Sequence, residues 1–222
     1  MYEYYLFDLD HTLFDFERAE DVSLKEVFNR HQVELSPELL AAYNELNLAL
    51  WKDYEAQRIT REVLLVSRFE RLFSTYQLHL DAEQFNEIYL GLLASQPMPM
   101  EGAVEVLETL SKKATIVIAT NGPSLTQRDK LKSSGLYHYV DHLITSEDAG
   151  VAKPDPDFFY YLRETIGIPD LSRALMIGDN PHTDIFGARR AGFDTCLFDP
   201  QDKNLGEDAT YRIKKLVEVL NL

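Results

Sequence analysis

Two aspartates lie at the end of the first apolar stretch of the sequence, and their spacing suits them for joint chemistry. Asp8 and Asp10 lie two residues apart at the end of residues 4–9, a stretch that is typical of a buried strand. Side chains two apart point to the same side of an extended segment, so the two carboxylates can converge. Open α/β sheets bind ligands at the carboxyl ends of their strands. Carboxylates in that place can act as nucleophile, as general acid and base, or as metal ligands.

Further polar side chains follow in order along the chain, next to predicted strand ends and helix starts. They are Thr120 with Asn121, then Lys153, then Asp179 with Asp184. A hydroxyl, an amide and a following glycine suit phosphate oxygens, and a lysine adds a positive charge. Taken singly, each has an ordinary explanation as a turn residue, a solvated lysine or a partner of a helix dipole. Their joint occurrence favours a catalytic phosphate site.

Four of these side chains are acidic, and bringing them together requires a compensating charge. Like charges 4 Å apart repel by roughly 4 kcal/mol at an effective dielectric constant of about 20. An all-oxygen site with room for waters suits Mg²⁺, and Mn²⁺ accepts the same ligands. We therefore predict a divalent cation at a cluster of Asp8, Asp10, Asp179 and Asp184, with Lys153 as a second positive charge.

The first motif also begins like a calcium-binding loop, which needs a glycine and a bidentate glutamate at fixed later positions. Leu13 and Ala19 occupy those two positions, and a strand rather than a helix precedes the motif. We therefore reject a calcium loop at Asp8, Asp10 and Thr12.

Five short apolar stretches predict the strands that position these residues. They cover residues 4–9, 115–120, 142–145, 174–178 and 194–198. Continuous apolar runs are typical of strands that are buried on both faces of a parallel sheet. Helices are predicted between them, at residues 124–135 with a capping box at Ser124, at 155–167 and at about 181–192. Alternating strands and helices predict an α/β fold, a doubly wound, Rossmann-like parallel sheet.

A block of helices is predicted between the first strand and the rest of the sheet. Residues 17–95 show helical periodicity, and helix-start signals occur at Ser36 with Pro37, at Thr60, and at Asp81 with Gln84. Residues 96–102 contain two prolines and are typical of a return linker. We therefore predict an α/β catalytic core of residues 1–15 and 97–222, with an inserted α-helical cap domain of residues 16–96.

The composition narrows the class of protein further. The chain has 22 basic and 37 acidic residues among 222, a net charge of −15, which argues against binding to nucleic-acid polymers. No apolar run approaches the ~18 residues that cross a bilayer. The acidic N-terminal residues do not resemble a signal peptide. Cys196 is the only cysteine, which suits a reducing compartment. We expect a cytoplasmic protein, monomeric or homodimeric, that binds no membrane.

The order of these motifs resembles the haloacid dehalogenase-like (HAD-like) hydrolase superfamily. Its four motifs are matched by Asp8-x-Asp10-x-Thr12, Thr120-Asn121, Lys153, and Gly178-Asp179 with Asp184. The resemblance extends over essentially the whole chain, including a helical cap inserted after the first motif. The presence of Asp10 points to phosphoryl transfer, because the dehalogenases of the superfamily lack this second aspartate.

The resemblance implies hydrolysis of a phosphomonoester through an aspartyl-phosphate intermediate. Asp8 would be the nucleophile, and Asp10 would protonate the leaving oxygen and then activate the hydrolytic water. Mg²⁺, or Mn²⁺ in its place, would be held by Asp8, the backbone carbonyl of Asp10 and Asp179. Thr12 belongs to the same motif and would support the site.

The resemblance also assigns the groups that hold the phosphoryl oxygens. Thr120, the Asn121 amide and Lys153 would bind the oxygens of the transferring group. Asp184 would support the metal-bound waters or orient Lys153.

Within the predicted cap, residues 44–54, 59–60 and 68–69 resemble the bacterial pyrimidine 5′-nucleotidases. This likeness implies a pyrimidine nucleoside 5′-monophosphate as substrate. Trp51 and Tyr54 are three apart, so they can share a helix face and stack on a base, although an aromatic pair at this spacing is also typical of a helix core. Arg68 can meet a phosphate or a base carbonyl, or it can simply be solvated.

Three other functions fit the same motifs. A sugar-phosphate phosphatase or a phosphomutase would use the same core, because phosphohexomutases carry both aspartates. A phosphate-binding protein without catalysis is the remaining alternative, although none of the catalytic residues is missing.

Overall fold

The computed structural model describes residues 2–203 and 208–222, which form two compact units. The first unit consists of Met1–Glu17 and Pro97–Leu222, and the second is Arg18–Gln96. The second unit is therefore an insertion that follows the first strand of the chain. In the described ranges, no helix is long and apolar enough to cross a bilayer.

One six-stranded parallel sheet forms the centre of the first unit. Its strands are β1 (Tyr4–Phe7), β2 (Thr115–Thr120), β3 (His142–Thr145), β4 (Ala174–Gly178), β5 (Asp194–Phe198) and β6 (Tyr211–Ile213). They are arranged in the order β3-β2-β1-β4-β5-β6, so the strand order changes direction at β1. Ligands bind outside the carboxyl ends of strands at such a reversal. The predicted doubly wound, Rossmann-like α/β fold is confirmed.

The strands agree with the apolar stretches, with two differences. β1 ends at Phe7 rather than at residue 9, because the carbonyl of Leu9 accepts hydrogen bonds from the N–H groups of Leu13 and Phe14, both at 2.9 Å, in a tight turn. β6 was not predicted, because its three residues include Arg212 and form no apolar run.

Four helices form the second unit, and the first of them begins two residues before that unit. They are α1 (Phe16–Arg30), α2 (Pro37–Glu55), α3 (Arg61–Thr75) and α4 (Ala82–Ser95). The predicted helix starts are confirmed, because the side chains of Ser36, Thr60 and Asp81 each accept a backbone N–H in the first turn. A cluster of buried aromatic rings fills the space between these helices, among them Phe28, Phe69, Phe73, Phe85 and Tyr89.

Helices lie on both faces of the sheet in the first unit. They are α5 (Ala103–Leu110), α6 (Ser124–Ser133), α7 (Ser146–Ala149), α8 (Pro156–Ile166) and α9 (Gly187–Arg190). Because side chains alternate along a strand, Tyr5 and Phe7 of β1 pack with α5 on one face. Leu6 packs with α8 on the other face.

The helix starts of the first unit follow the predictions at α8 but not at α6. Asp155 caps α8 by accepting the N–H of Asp157 at 3.0 Å, as expected. The prediction of a capping box at Ser124 is wrong, because Pro123 occupies the N-cap position of α6. The Ser124 hydroxyl instead lies 2.6 Å from Oγ1 of Thr145. The third predicted helix begins with a wide turn, Pro181–Phe186, before α9.

Candidate active site

Asp8 lies directly beyond β1, where the strand order changes direction. Its backbone N–H donates to the carbonyl of Ile177 in β4 at 2.9 Å, which fixes the position of the residue next to the sheet. Its side chain is only 12% exposed. The loop then turns at His11, whose φ of 64° lies in the left-handed region that histidine tolerates better than most residues. The fold therefore presents a buried carboxylate at the ligand-binding edge of the sheet.

Lys153 uses its ammonium group to join three parts of the site. Its Nζ donates to Oδ1 of Asp8 at 2.7 Å, to Oδ1 of Asp184 at 2.6 Å and to the carbonyl of Ala119 at 2.7 Å. These three bonds use all three hydrogens of the ammonium group. Burial lowers the pKa of Lys153, but the negative charges of Asp184 and Asp8 outweigh it and raise the pKa above its usual range. Lys153 is therefore a fixed positive charge.

The backbone of Lys153 is held in turn by Asn121. The side-chain Nδ2 of Asn121 donates to the carbonyl of Lys153, and its Oδ1 accepts the N–H of Lys153, both at 2.9 Å. The side-chain amide is thus committed to positioning Lys153. The predicted contact of the Asn121 amide with a phosphoryl oxygen stays a prediction.

Three carboxylates gather beside this lysine. Asp8, Asp179 and Asp184 each offer an oxygen within 4.8 Å of the others. The hydroxyl of Thr12 donates to Oδ1 of Asp179 at 3.2 Å, and the N–H of Asn180 donates to Oδ2 of Asp184 at 3.1 Å. Asp184 is only 1% exposed and accepts a hydrogen bond from Lys153. Whether it orients that lysine or supports metal-bound waters stays a prediction.

The acidity of these groups fits the binding of a cation. Burial, and then the neighbouring negative charges, raise the pKa of Asp8 well above its usual range despite the opposing charge of Lys153. Burial and the charge of Asp184 raise the pKa of Asp179 to about 7. Both shifts have the same cause, because negative charge is unfavourable at these carboxylates, and a divalent cation would neutralise it. The oxygen-only donor set is the one that Mg²⁺ and Mn²⁺ prefer.

Asp10 does not join this cluster in the described part of the chain, and the expectation of four converging carboxylates is corrected to three. Its side chain turns toward α6, where Nζ of Lys130 donates to Oδ1 at 2.6 Å and Nε2 of Gln127 donates to Oδ2 at 2.8 Å. Sequence reasoning missed both residues of α6. Their spacing of three places them on one helix face, but that signal is common on surface helices.

Thr120 is the last residue of β2 and lies next to Gln127 of α6. Its Oγ1 accepts hydrogen bonds from Nε2 of Gln127 at 2.9 Å and from the N–H of Gly122 at 3.1 Å. Both lone pairs of the hydroxyl oxygen are therefore occupied, and its hydrogen is left to donate. This arrangement makes Thr120 a donor, as binding of a phosphoryl oxygen requires.

The aromatic pair predicted to bind a base lies on α2 in the helical unit. The rings of Trp51 and Tyr54 are 5.8 Å apart in an edge-to-face arrangement, and both side chains are half-buried. Arg61 donates from Nη2 to the hydroxyl of Tyr54 at 2.6 Å and also lies over its ring. The two rings share a helix face, as the spacing indicated, and their contact with substrate stays a prediction.

Arg68 lies inside the helical unit rather than in solvent. It is 3% exposed, and its Nη1 donates to Oδ1 of Asn47 at 3.2 Å and its Nη2 to Oδ1 of Asn86 at 2.9 Å. Nη1 also lies 3.4 Å from the hydroxyl of Tyr43, which donates to Oε1 of Glu20 at 3.0 Å. The structure gives Arg68 a role in the helix interior, and its predicted contact with substrate stays untested.

The fold and this set of groups define a class of enzyme, and comparison with known proteins agrees. A sequence model of haloacid dehalogenase-like hydrolases matches residues 2–192. The chain belongs to this family of hydrolases.

Individual relatives match over nearly the full length. The chain is 34% identical to the pyrimidine 5′-nucleotidase PynA of Streptococcus pneumoniae, over 99% of this chain and 94% of that protein. It is also 34% identical to the pyrimidine 5′-nucleotidase YjjG of Escherichia coli, over 100% and 97%. The crystal structure of the HAD-hydrolase YfnB from Bacillus subtilis, described as bound to magnesium, superposes with a TM-score of 0.93 at 32% identity, over 100% of this chain and 99% of that one.

Proposed function

We propose that this chain is a Mg²⁺-dependent phosphatase that hydrolyses pyrimidine nucleoside 5′-monophosphates through an aspartyl-phosphate at Asp8. The observation that carries the proposal is the environment of Asp8. Its buried carboxylate is bonded to Lys153 and lies within 4.8 Å of Asp179 and Asp184. Phosphoryl transfer depends mainly on positioning and on charge neutralisation, and this environment supplies both. The pyrimidine substrate is supported by the names of the two nucleotidase relatives.

The carboxylate cluster is the proposed site of the metal ion. Asp8, Asp179 and the backbone carbonyl of Asp10 would hold Mg²⁺, with Asp184 supporting its waters. When bound, the ion would offset the negative charge of the carboxylates and of the phosphate. The magnesium in the structure of YfnB supports the same choice of ion here.

The side chains divide the proposed reaction into two displacements. A carboxylate oxygen of Asp8 attacks phosphorus while the bond from phosphorus to the nucleoside oxygen breaks, and Asp10 gives a proton to that oxygen. Asp10 then takes a proton from a water that attacks the aspartyl-phosphate, which releases phosphate and restores Asp8. Lys153 and the hydroxyl of Thr120 donate hydrogen bonds to the transferring oxygens.

The base is proposed to stack on Trp51 or Tyr54. Stacking on an aromatic side chain contributes roughly 1–3 kcal/mol per base. Trp51→Leu is then expected to raise KM for UMP by about 5-fold or more, with little change for p-nitrophenyl phosphate, which has no base. Equal effects on both substrates would contradict the stacking role.

The experiment that tests the function is phosphate release from a panel of nucleoside monophosphates and sugar phosphates. Each compound is measured with Mg²⁺ and with EDTA, for the wild type and for Asp8→Asn. We expect Mg²⁺-dependent release from UMP, dUMP or dTMP, lowered by more than about 10⁴-fold in Asp8→Asn. Asp157→Asn removes an exposed carboxylate of α8 and serves as the matched control with unchanged activity.

The other outcomes separate the alternatives. Release from sugar phosphates alone would keep the proposed chemistry and reject the nucleotide substrate. Transfer of label from a bisphosphate to a monophosphate would identify a phosphomutase. No release from any compound by folded, metal-loaded protein would favour a phosphate-binding protein.

A further inference from the structure

We infer that Lys130 and Gln127 of α6 are positioning residues that hold the side chain of Asp10 in its working orientation. The inference rests on the proposed function, in which Asp10 transfers the proton in both displacements. Neither residue belongs to the motifs that define the phosphate and metal sites.

The contacts of Asp10 are unusually complete for a side chain at the edge of a site. Both of its oxygens accept a hydrogen bond, one from the ammonium group of Lys130 at 2.6 Å and one from the amide of Gln127 at 2.8 Å. Two donors on different oxygens fix both side-chain torsions of an aspartate. The Asp10 side chain itself is 23% exposed, so packing alone does not restrain it.

Burial of the two donors is the second observation. Lys130 is 4% exposed and Gln127 is fully buried, although lysine and glutamine are mostly found in solvent. Among the described residues, Oε1 of Gln127 is buried without a hydrogen-bond partner. An apolar residue of similar size would avoid that cost, so what the amide contributes here is the pair of hydrogen bonds that its Nε2 donates.

The amide of Gln127 also couples the two halves of the site. Its Nε2 bridges Oδ2 of Asp10 and Oγ1 of Thr120, the predicted phosphate ligand. Its place is available only because residue 122 is glycine, since a Cβ there would lie 2.0 Å from Nε2. On the other side, the ring of Phe16 lies 4.9 Å from Nζ of Lys130 and restrains the ammonium group by a cation–π contact. The Asp10 carboxylate, proposed to transfer the proton, and the Thr120 hydroxyl, predicted to bind phosphate, are therefore both held by side chains on the same face of α6.

If Lys130 positions Asp10, its loss should slow the hydrolysis of nucleotides much more than that of p-nitrophenyl phosphate. A general loss of structure would slow both alike. A nucleoside oxygen needs a proton as it leaves, whereas p-nitrophenolate leaves without one. Lys130→Met is therefore expected to lower kcat for the best nucleotide substrate by about 10- to 100-fold, with KM changed by less than about twofold. The first turnover of p-nitrophenyl phosphate, followed as the burst of p-nitrophenolate, should change by less than about threefold.

Matched variants complete the kinetic test. Lys130→Arg keeps a charged donor and should restore part of the lost kcat. Lys132→Met removes an exposed lysine of the same helix and should behave as wild type. Gln127→Leu should give the same substrate split in a smaller degree, and it serves if Lys130→Met does not fold. Parallel losses on both substrates, a rise in KM alone, or no change would overturn the inference.

A crystal structure of Lys130→Met decides the inference independently of the proposed function. The Asp10 carboxylate is expected to leave the position that it has beside α6, and an unchanged carboxylate position would overturn the inference. If the wild type hydrolyses no phosphomonoester, the proposed function fails on that result alone, while the position of Asp10 still reports whether Lys130 holds it. Gln127→Leu is crystallised as the second variant.

Discussion

The ammonium group of Lys153 donates a hydrogen bond of 2.7 Å directly to Oδ1 of Asp8. The positive charge is thus bonded to the carboxylate that we propose as nucleophile, and not only to a phosphate site nearby. Because all three hydrogens of the ammonium group are used, binding of a phosphoryl oxygen must replace one of the existing bonds. The bond to Asp184 keeps the group in place during that exchange.

Lys153→Met should destabilise the protein strongly as well as abolish activity. The substitution leaves the buried carboxylates of Asp8 and Asp184 without their common partner. Breaking a buried ion pair from one side costs about 3–5 kcal/mol. We expect a loss of that size in urea unfolding of the metal-free protein. Lys112→Met removes an exposed ion pair with Glu108 and should cost less than about 1 kcal/mol. Equal losses in the two variants would show that the buried network does not stabilise the fold.

Gly178→Ala should disturb the hydrogen bond between Lys153 and Asp184 through a steric clash. A Cβ on Gly178 would lie 2.2 Å from Oδ2 of Asp184, so this carboxylate, which also accepts a hydrogen bond from Lys153, must move. We expect a loss of about 1–3 kcal/mol in unfolding free energy, typical of overpacking, together with reduced kcat. Gly91→Ala is the matched control, because nothing lies within 4 Å of its Cβ and alanine favours a helix interior. That variant should gain up to about 1 kcal/mol, and a loss at Gly91 would contradict this explanation.

The strands and the order of the motifs could be predicted from the sequence because both are local signals. Four apolar stretches coincide with β2 to β5, and residues such as Thr120 and Gly178 mark where these strands end. Helix starts followed from Ser, Thr or Asp placed before a helical pattern. The start of α6 failed because Pro123, without a capping side chain, took the position that Ser124 was expected to hold.

Residues that depend on distant partners could not be predicted in the same way. Gln127 and Lys130 bind a carboxylate that lies 117 and 120 positions earlier in the chain, and only the folded sheet brings them together. Asp10 was expected beside Asp8 from strand alternation. β1 ends before either residue, so that periodicity does not apply, and the donors of α6 determine where Asp10 points.

Arg68→Met should destabilise the helical unit, because the arginine is a hydrogen-bond donor in its interior. The change removes the donor to Oδ1 of half-buried Asn47 and of buried Asn86, and an unsatisfied buried polar group such as Asn86 costs about 1–3 kcal/mol. Arg68→Lys should recover little of this, because an ammonium group lacks the planar fork that reaches both amides. Chemical unfolding followed by circular dichroism measures the loss.

A control and an activity measurement complete the test of Arg68. Arg71→Met changes an exposed arginine of the same helix and should lie within about 0.5 kcal/mol of wild type. If Arg68 only supports the helical unit, KM for UMP in Arg68→Lys should follow the loss of stability and recover at lower temperature. A KM defect that persists in fully folded protein would support the predicted contact with substrate.

Asp179 should make the stability of the metal-free protein depend on pH. Burial, and then the charge of Asp184, raise its pKa in the folded chain to about 7 from a usual value of 3.8. Between these values the folded chain binds more protons at this site than the unfolded chain. The free energy of unfolding therefore falls as pH rises through this window, and the stabilising proton is lost above about pH 7. Mg²⁺ binds the ionised carboxylate, so its affinity should rise with pH and level off above about pH 7.

Asp179→Asn isolates this contribution from the other titrating groups. In EDTA at about pH 8 the variant should be more stable than the wild type, because it lacks the half-buried negative charge beside Asp184, and the difference should shrink toward about pH 5. With Mg²⁺ the order should reverse, since the variant has lost a ligand and should bind the ion more weakly by about tenfold or more. Urea unfolding at each pH and calorimetric titration with Mg²⁺ measure the two effects. Stability curves of wild type and variant that remain parallel across this range would show that Asp179 does not carry the shifted proton.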